Sequence, residues 1–180
     1  MEELKRNGYQ VYLSAFQRYD TYMHPLTVNQ FYERLDQLDP TITDLWGVYN
    51  EQSMIAYAEV KKYDDMRHLG IIKFHPEYMK DYPSYALFFA LIEHYLTDER
   101  IKYISNGTRS LSHDTNIQDF LIQKFNFRKA YCRLNIYYKM PLGFIVKMLY
   151  PFRVLFSSIP LKFSKKIYLL FYQEYIKRHS

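Results

Sequence analysis

A chain of 180 residues that is 48% hydrophobic can bury one domain with or without an appendage, which excludes an intrinsically disordered chain. Its single cysteine, Cys132, excludes an internal disulfide and any cysteine-rich zinc site. The net charge of +5 lies wholly in the last quarter: from Met140 onward seven Lys and Arg face Glu174 alone, which leaves residues 1–139 at −1 and gives no basic core suited to nucleic acid.

Leu4–Asp20 reads as a helix, although the alternation of Tyr9, Val11 and Leu13 also suits a strand. Thr27 is placed to cap a second helix whose Phe31, Leu35 and Leu38 share one face, and Asp39-Pro40 stops it. Leu45–Tyr49 and Met54–Val60 are predicted strands joined by the polar turn Asn50–Ser53. Gly70–Phe74 is a third, completing an antiparallel meander. Pro83 starts a helix with Tyr85, Phe88, Phe89, Ile92, Tyr95 and Leu96 as its expected buried face. A strand at Ile101–Ile104, a polar loop, a helix at Asn116–Phe125 and a last strand at Ala130–Tyr138 follow. Cys132 falls in that strand pattern and is expected to be a buried, inert thiol.

Two regions invite function. In an α/β protein the polar loop after a strand is where ligands gather, and here that loop is Ser105–Thr115. The other is the segment from residue 140 to 180, read as a basic amphipathic helical extension of a domain at 1–139. Apolar runs at Leu142–Ile159 and Ile167–Tyr172 are bracketed or interrupted by Lys and Arg. Such a tail suits the plane of an anionic membrane surface, and equally suits packing on the domain or a partner chain. The 20 Tyr and 13 Phe admit a similar pair of readings: a tyrosine-rich core, or a surface for sugars, bases or lipid headgroups. The N-terminus lacks the apolar core of a signal peptide, so a cytoplasmic location is expected, with peripheral contact at the inner membrane face if the tail is interfacial. No HxxxH, HExxH, P-loop, GxGxxG or GxSxG occurs, and no metal is expected.

Two short motifs carry a family resemblance. Phe74-His75-Pro76-Glu77-Tyr78-Met79-Lys80 resembles the strand-then-PEYRG step of the GNAT superfamily of acyl-CoA N-acyltransferases, and Lys124-Phe125-Asn126-Phe127-Arg128 resembles that family's K-x-G-F-R helix ending. The resemblance spans roughly Leu45–Tyr138. It implies a GNAT-like α/β (α+β) fold, a mainly antiparallel mixed sheet flanked by helices, and an acyl-CoA donor. The loop from Ser105 to Gln118 also resembles FemAB-like proteins of bacterial envelope gene clusters. The resemblance puts Phe74, His75, Tyr82, Ser84 and Tyr85 at the cofactor. Tyr82 and Ser84 stand where the family has glycines, and no glycine occurs between Gly70 and Gly107. Side chains there obstruct the close backbone approach that a pyrophosphate needs. Ile122 or Gln123 falls where the family often has a tyrosine acid.

Acyl transfer needs a base for the acceptor and donors for the developing oxyanion. His113 is the candidate base, with Asp114 beside it as a tuning or orienting group and Asn116 to orient the acceptor. Asn106, Arg109 and Ser110 are candidate substrate contacts, Arg109 through its fork of donors. Asp114, Thr115 and Asn116 also have a purely structural reading, because Thr115 and Gln118 have capping-box spacing. The expected function is transfer of an acyl or aminoacyl group to an amine or hydroxyl, such as an envelope glycan or lipid precursor. The alternative is a catalytically inactive GNAT-fold binding module held at a membrane or partner by its tail.

Overall fold

The computed structural model describes residues 1–19, 21, 23–107, 116–131, 133–157 and 162–179. The chain forms two compact units, Met1–Tyr19 with His24–Arg109, and Asp20–Met23 with Ser110–Ser180.

The first unit opens with helix α1, Glu2–Phe16. The helix prevails over the strand-like alternation because Leu4, Gly8, Val11, Tyr12 and Ala15 recur on one face, and all are buried. Helix α2, Val28–Asp36, starts with a capping box as Thr27 foretold: Gln30 N–H donates to Thr27 Oγ1 at 3.3 Å and Thr27 N–H donates to Gln30 Oε1 at 2.9 Å.

Four strands follow in spatial order β1 (Thr43–Asn50), β2 (Ser53–Lys62), β3 (Met66–Phe74) and β4 (Tyr103–Ser105). The first three are antiparallel, and β4 runs parallel to β3. Strand β2 is buried from Met54 to Val60 because both its faces are covered. Tyr57 points into the α1–α2 side and packs with Val11, Tyr12, Phe31 and Leu35. The alternate residues Ala56, Ala58 and Val60 face the other way, where helix α3, Pro83–Ile92, lies on β1 and β2.

The face of α3 departs from expectation. Leu87, Phe88, Leu91 and Tyr95 are buried, whereas Tyr85, Phe89 and Leu96 are exposed. Nearly every residue of PSYALFFALI is apolar, so periodicity cannot select a face; the small Ala56 and Ala58 beneath it can.

Several polar side chains on the sheet are partnered, although the buried Arg67 Nε has no hydrogen-bond partner among the described residues. Trp46 Nε1–H donates to Tyr95 Oη at 2.9 Å, and Tyr95 donates on to Asp44 Oδ2 at 2.9 Å. Lys62 Nζ donates to the other Asp44 oxygen at 2.8 Å. On the opposite face Arg34 clasps both oxygens of the buried Glu59 carboxylate. Burial pushes the Glu59 carboxyl up, and the Arg34 guanidinium opposes that rise.

The second unit holds helix α4 (Ile117–Phe125), then α5 (Leu142–Leu149), a 3-10 turn (Tyr150–Phe152), α6 (Arg153–Ser157) and α7 (Lys162–His179). Val146 and Tyr150 meet Phe171 in its core, joined by Tyr138, Leu149, Ile167 and Leu170. Glu174 receives the Tyr138 hydroxyl at 2.9 Å and Arg178 Nε–H at 2.8 Å. The expected strand Ala130–Tyr138 is not formed among the described residues; Tyr131 and Tyr137 are more than nine-tenths exposed. Alternation is necessary for a half-buried strand but does not supply a pairing partner, and this segment finds none. Cys132, placed in that expected strand, lies outside the described residues.

Candidate active site at the end of strand three

The informative geometry lies where β3 hands over to α3. Strand β3 ends at Phe74, whose ring packs on Phe88 of α3 at 6.5 Å. His75 N–H donates to the Ile55 carbonyl at 2.8 Å, which fixes the strand's last step. The chain then winds through a 3-10 turn, Pro76–Asp81, tethered where Asn50 Nδ2–H donates to Asp81 Oδ2 at 2.8 Å. Tyr82 closes that turn in the left-handed region, φ 54° and ψ 42°, and Pro83 begins α3.

The backbone at Tyr82 adopts the conformation a glycine would favour, at a cost of roughly 1–2 kcal/mol for an L-residue. The Tyr82 side chain is 66% exposed and meets Tyr85 edge to face. The donors at that end are few. Pro83 has no N–H, and the N–H groups of Tyr85 and Ala86 both donate to the Tyr82 carbonyl, at 3.0 and 3.3 Å. Among the described residues the Ser84 N–H and hydroxyl have no hydrogen-bond partner, and both lie at the positive end of the α3 dipole.

Among the described residues strand β4 pairs with Met66, Arg67 and His68 of β3. From Leu69 to Phe74 the outer edge of β3 therefore has no strand partner among the described residues. Because His75 N–H points to β2, alternation turns the N–H and C=O of Ile72 and Phe74 to that open edge.

On the α1 side, His75 Nε2 lies 3.2 Å from Ser14 Oγ, and its ring meets Tyr78 edge to face. His75 Nδ1 is buried with no partner among the described residues. Nearby, Lys73 Nζ donates to Tyr19 Oη at 3.0 Å and lies over the Tyr12 and Tyr19 rings. Neither Ser14 nor Lys73 carries any local motif. Their signal is long-range strand–helix packing, which sequence spacing does not encode.

Of the loop residues singled out above, Arg109, Ser110, His113, Asp114 and Thr115 lie outside the described residues. Asn106 follows β4 and precedes Gly107, which holds φ 68° against the His68 ring. Asn116 occupies the N-cap position of α4 without a side-chain capping bond. At the other end of α4, Asn126 holds φ 57° and ψ 30°, and Phe127 N–H returns to the Leu121 carbonyl at 3.2 Å. Among the described residues no cluster of His, Cys, Asp or Glu is placed to hold a metal ion.

No protein-family model and no curated protein sequence matches the chain. Solved structures do. The ribosomal-protein-S18-alanine N-acetyltransferase from Escherichia coli matches over 73% of this chain and 77% of its own, at 20% identity and a TM-score of 0.50. The aminoglycoside 6'-N-acetyltransferase AAC(6')-IG from Acinetobacter haemolyticus matches over 73% and 92%, at 12% identity and a TM-score of 0.50. AAC(6')-Iy, in complex with a bisubstrate analogue, CoA-S-monomethyl-acetylneamine, matches over 77% and 90%, at 14% identity and a TM-score of 0.51. Together with the mixed, mainly antiparallel sheet flanked by helices, this likeness shows that the chain has a GNAT-like fold.

Proposed function

We propose that the protein transfers an acyl or aminoacyl group from a coenzyme A thioester to an amine or hydroxyl acceptor. One observation carries the reading: β3 turns left-handed into a helix N-terminus while its outer edge lacks a strand partner among the described residues. The two halves of that junction match the two halves of the donor. An extended arm with amide groups pairs with an open strand edge, here through Ile72 and Phe74. A phosphate sits at a helix N-terminus, here at the Ser84 N–H and hydroxyl. The residues present fit one phosphate group at that end, a smaller cradle than a glycine-rich turn provides. When bound, the donor supplies an acyl carbon activated as a thioester.

The chain's own residues supply the rest. His113 removes the acceptor's proton, with Asp114 beside it, because an imidazole titrates near neutral pH. Arg109 holds an anionic group of donor or acceptor, and Asn106, Ser110 and Asn116 orient the acceptor. The three solved relatives are named for amine acceptors or carry an amine-bearing analogue, which supports testing amines first. An envelope glycan or lipid precursor is the acceptor class that the FemAB-like loop supports.

The test is release of free thiol from acetyl-CoA and longer acyl-CoAs in the presence of a panel of amines and hydroxyls. His113→Ala should lower turnover by about 10²–10⁴-fold at an unchanged melting temperature, the span typical of a lost general base. Undiminished turnover would remove His113 from the mechanism. A second reading, a binding module without turnover, is favoured by the shortage of free donors in the first turn of α3. Donor binding without transfer to any acceptor would support it.

A further inference from the structure

We propose that the outward face of α5 and α6 is a docking surface for an anionic lipid bilayer, an inference independent of the acyl-transfer reading. The two helices are joined by the 3-10 turn Tyr150–Phe152, so residues 142–157 wind almost continuously. One side of that segment is used: Val146, Leu149 and Tyr150 pack on Ile167, Leu170 and Phe171 of α7. The other side is not. Leu142, Ile145, Met148, Phe152 and Leu155 recur three and four residues apart, and each is 42–64% exposed. Five large apolar side chains in one row exceed the scattered exposure normal for a folded surface.

Charge decides the occupant. From residue 120 to 173 the chain has ten Lys and Arg and no Asp or Glu. Lys139 just before α5 and Lys147 within it are both exposed. A protein partner would need a matching arrangement of acids, whereas an anionic bilayer accepts basic residues at any register around an apolar stripe. The apolar row enters the headgroup boundary and the lysines extend to the phosphates. No described helix is long and apolar enough to cross a membrane, so the segment lies in the interface plane.

The test is sedimentation of the full chain with vesicles of phosphatidylcholine alone or with about 30% phosphatidylglycerol, at low and at high salt. The expected result is binding to the anionic vesicles that is at least about tenfold stronger than to the neutral ones and is lost at high salt. The double variant I145D/F152D should abolish binding while the melting temperature holds, since both residues are exposed. Lys139→Ala and Lys147→Ala should each weaken binding about fivefold, and they keep the test decisive if the double variant does not fold. Equal binding to neutral vesicles, or binding indifferent to either lysine, would overturn the proposal. So would light scattering that shows a dimer dissociated by I145D/F152D, because the face would then be covered by a second copy.

Discussion

Tyr82 and Asn126 hold nearly the same left-handed backbone, φ 54°, ψ 42° at one and φ 57°, ψ 30° at the other. Asn126 stands where the K-x-G-F-R motif has glycine and Tyr82 where the family resemblance puts one, and both backbones hold the glycine-like conformation. Asn accepts that region far more readily than Tyr, so the strain falls mainly on Tyr82. Replacing Tyr82 with Gly removes strain of roughly 1–2 kcal/mol but loosens the unfolded chain by about 0.5–1 kcal/mol. The expected outcome is unchanged or slightly higher stability in urea, together with tighter coenzyme A binding by calorimetry as the exposed ring leaves the helix end.

Gly107 is a third such position, and here the residue is glycine. A β-carbon built on it would lie 2.7 Å from His68 Cε1, and φ 68° strains any side chain. Gly107→Ala should destabilise the protein by about 1–2 kcal/mol. His68→Ala in the same background should recover only the steric part, which a double-mutant cycle in urea would separate.

The buried Glu59 of β2 is paired with the half-buried Arg34 of α2. Arg34→Met leaves the Glu59 carboxylate buried and unpaired, at a cost of about 3–5 kcal/mol. The Glu59 carboxyl is already raised by burial, and losing Arg34 raises it further. A carboxyl raised on folding binds its proton more tightly in the native state, so the variant's deficit should shrink as the pH falls through that value. Urea midpoints measured from neutral pH down to the ordinary carboxylate range would show the deficit narrowing; a constant deficit would contradict the assignment.

The Tyr95 hydroxyl relays between Trp46 and Asp44. Burial, with the Asp44 hydrogen bond adding to it, pushes that hydroxyl above its ordinary value. Burial does the same to Tyr57, and Glu59 adds to it. Both groups bind their protons more tightly folded than unfolded. Their contribution is complete below about pH 10 and is lost as the pH rises beyond it, by up to about 1.4 kcal/mol per pH unit for each group. Tyr95→Phe should cost about 1–3 kcal/mol at neutral pH, since Trp46 and Asp44 lose their shared partner. It should also flatten the alkaline limb of a melting-temperature profile.

Much of the first unit is legible in the sequence. The Thr27–Gln30 cap, the turn after Asn50 and Pro83 at the start of α3 are local signals, and each forms where it was expected. Where the pattern was degenerate, reading failed. The uniformly apolar α3 does not declare its buried face: Leu87 and Leu91 are buried while Phe89 is exposed. The alternation of Ala130–Tyr138 described an extended chain without naming a partner strand. The site was legible only as a junction. The 3-10 turn and left-handed Tyr82 follow the quoted motif, but the Ser14–His75 contact joins residues 61 apart, which no spacing rule links.

The central claim is tested most directly by titrating the purified protein with acetyl-CoA and longer acyl-CoAs, read both as calorimetric heat and as a melting shift. The account predicts saturable heat and, at a hundredfold excess over the dissociation constant, stabilisation of about 2.7 kcal/mol. Ser84→Asp, which sets a carboxylate in the first turn of α3 where an acid suits the helix dipole, should weaken binding of the anionic donor without lowering the melting temperature of the free protein. Absence of heat and of any melting shift at millimolar acyl-CoA would contradict the reading of the β3–α3 junction as an acyl-CoA site.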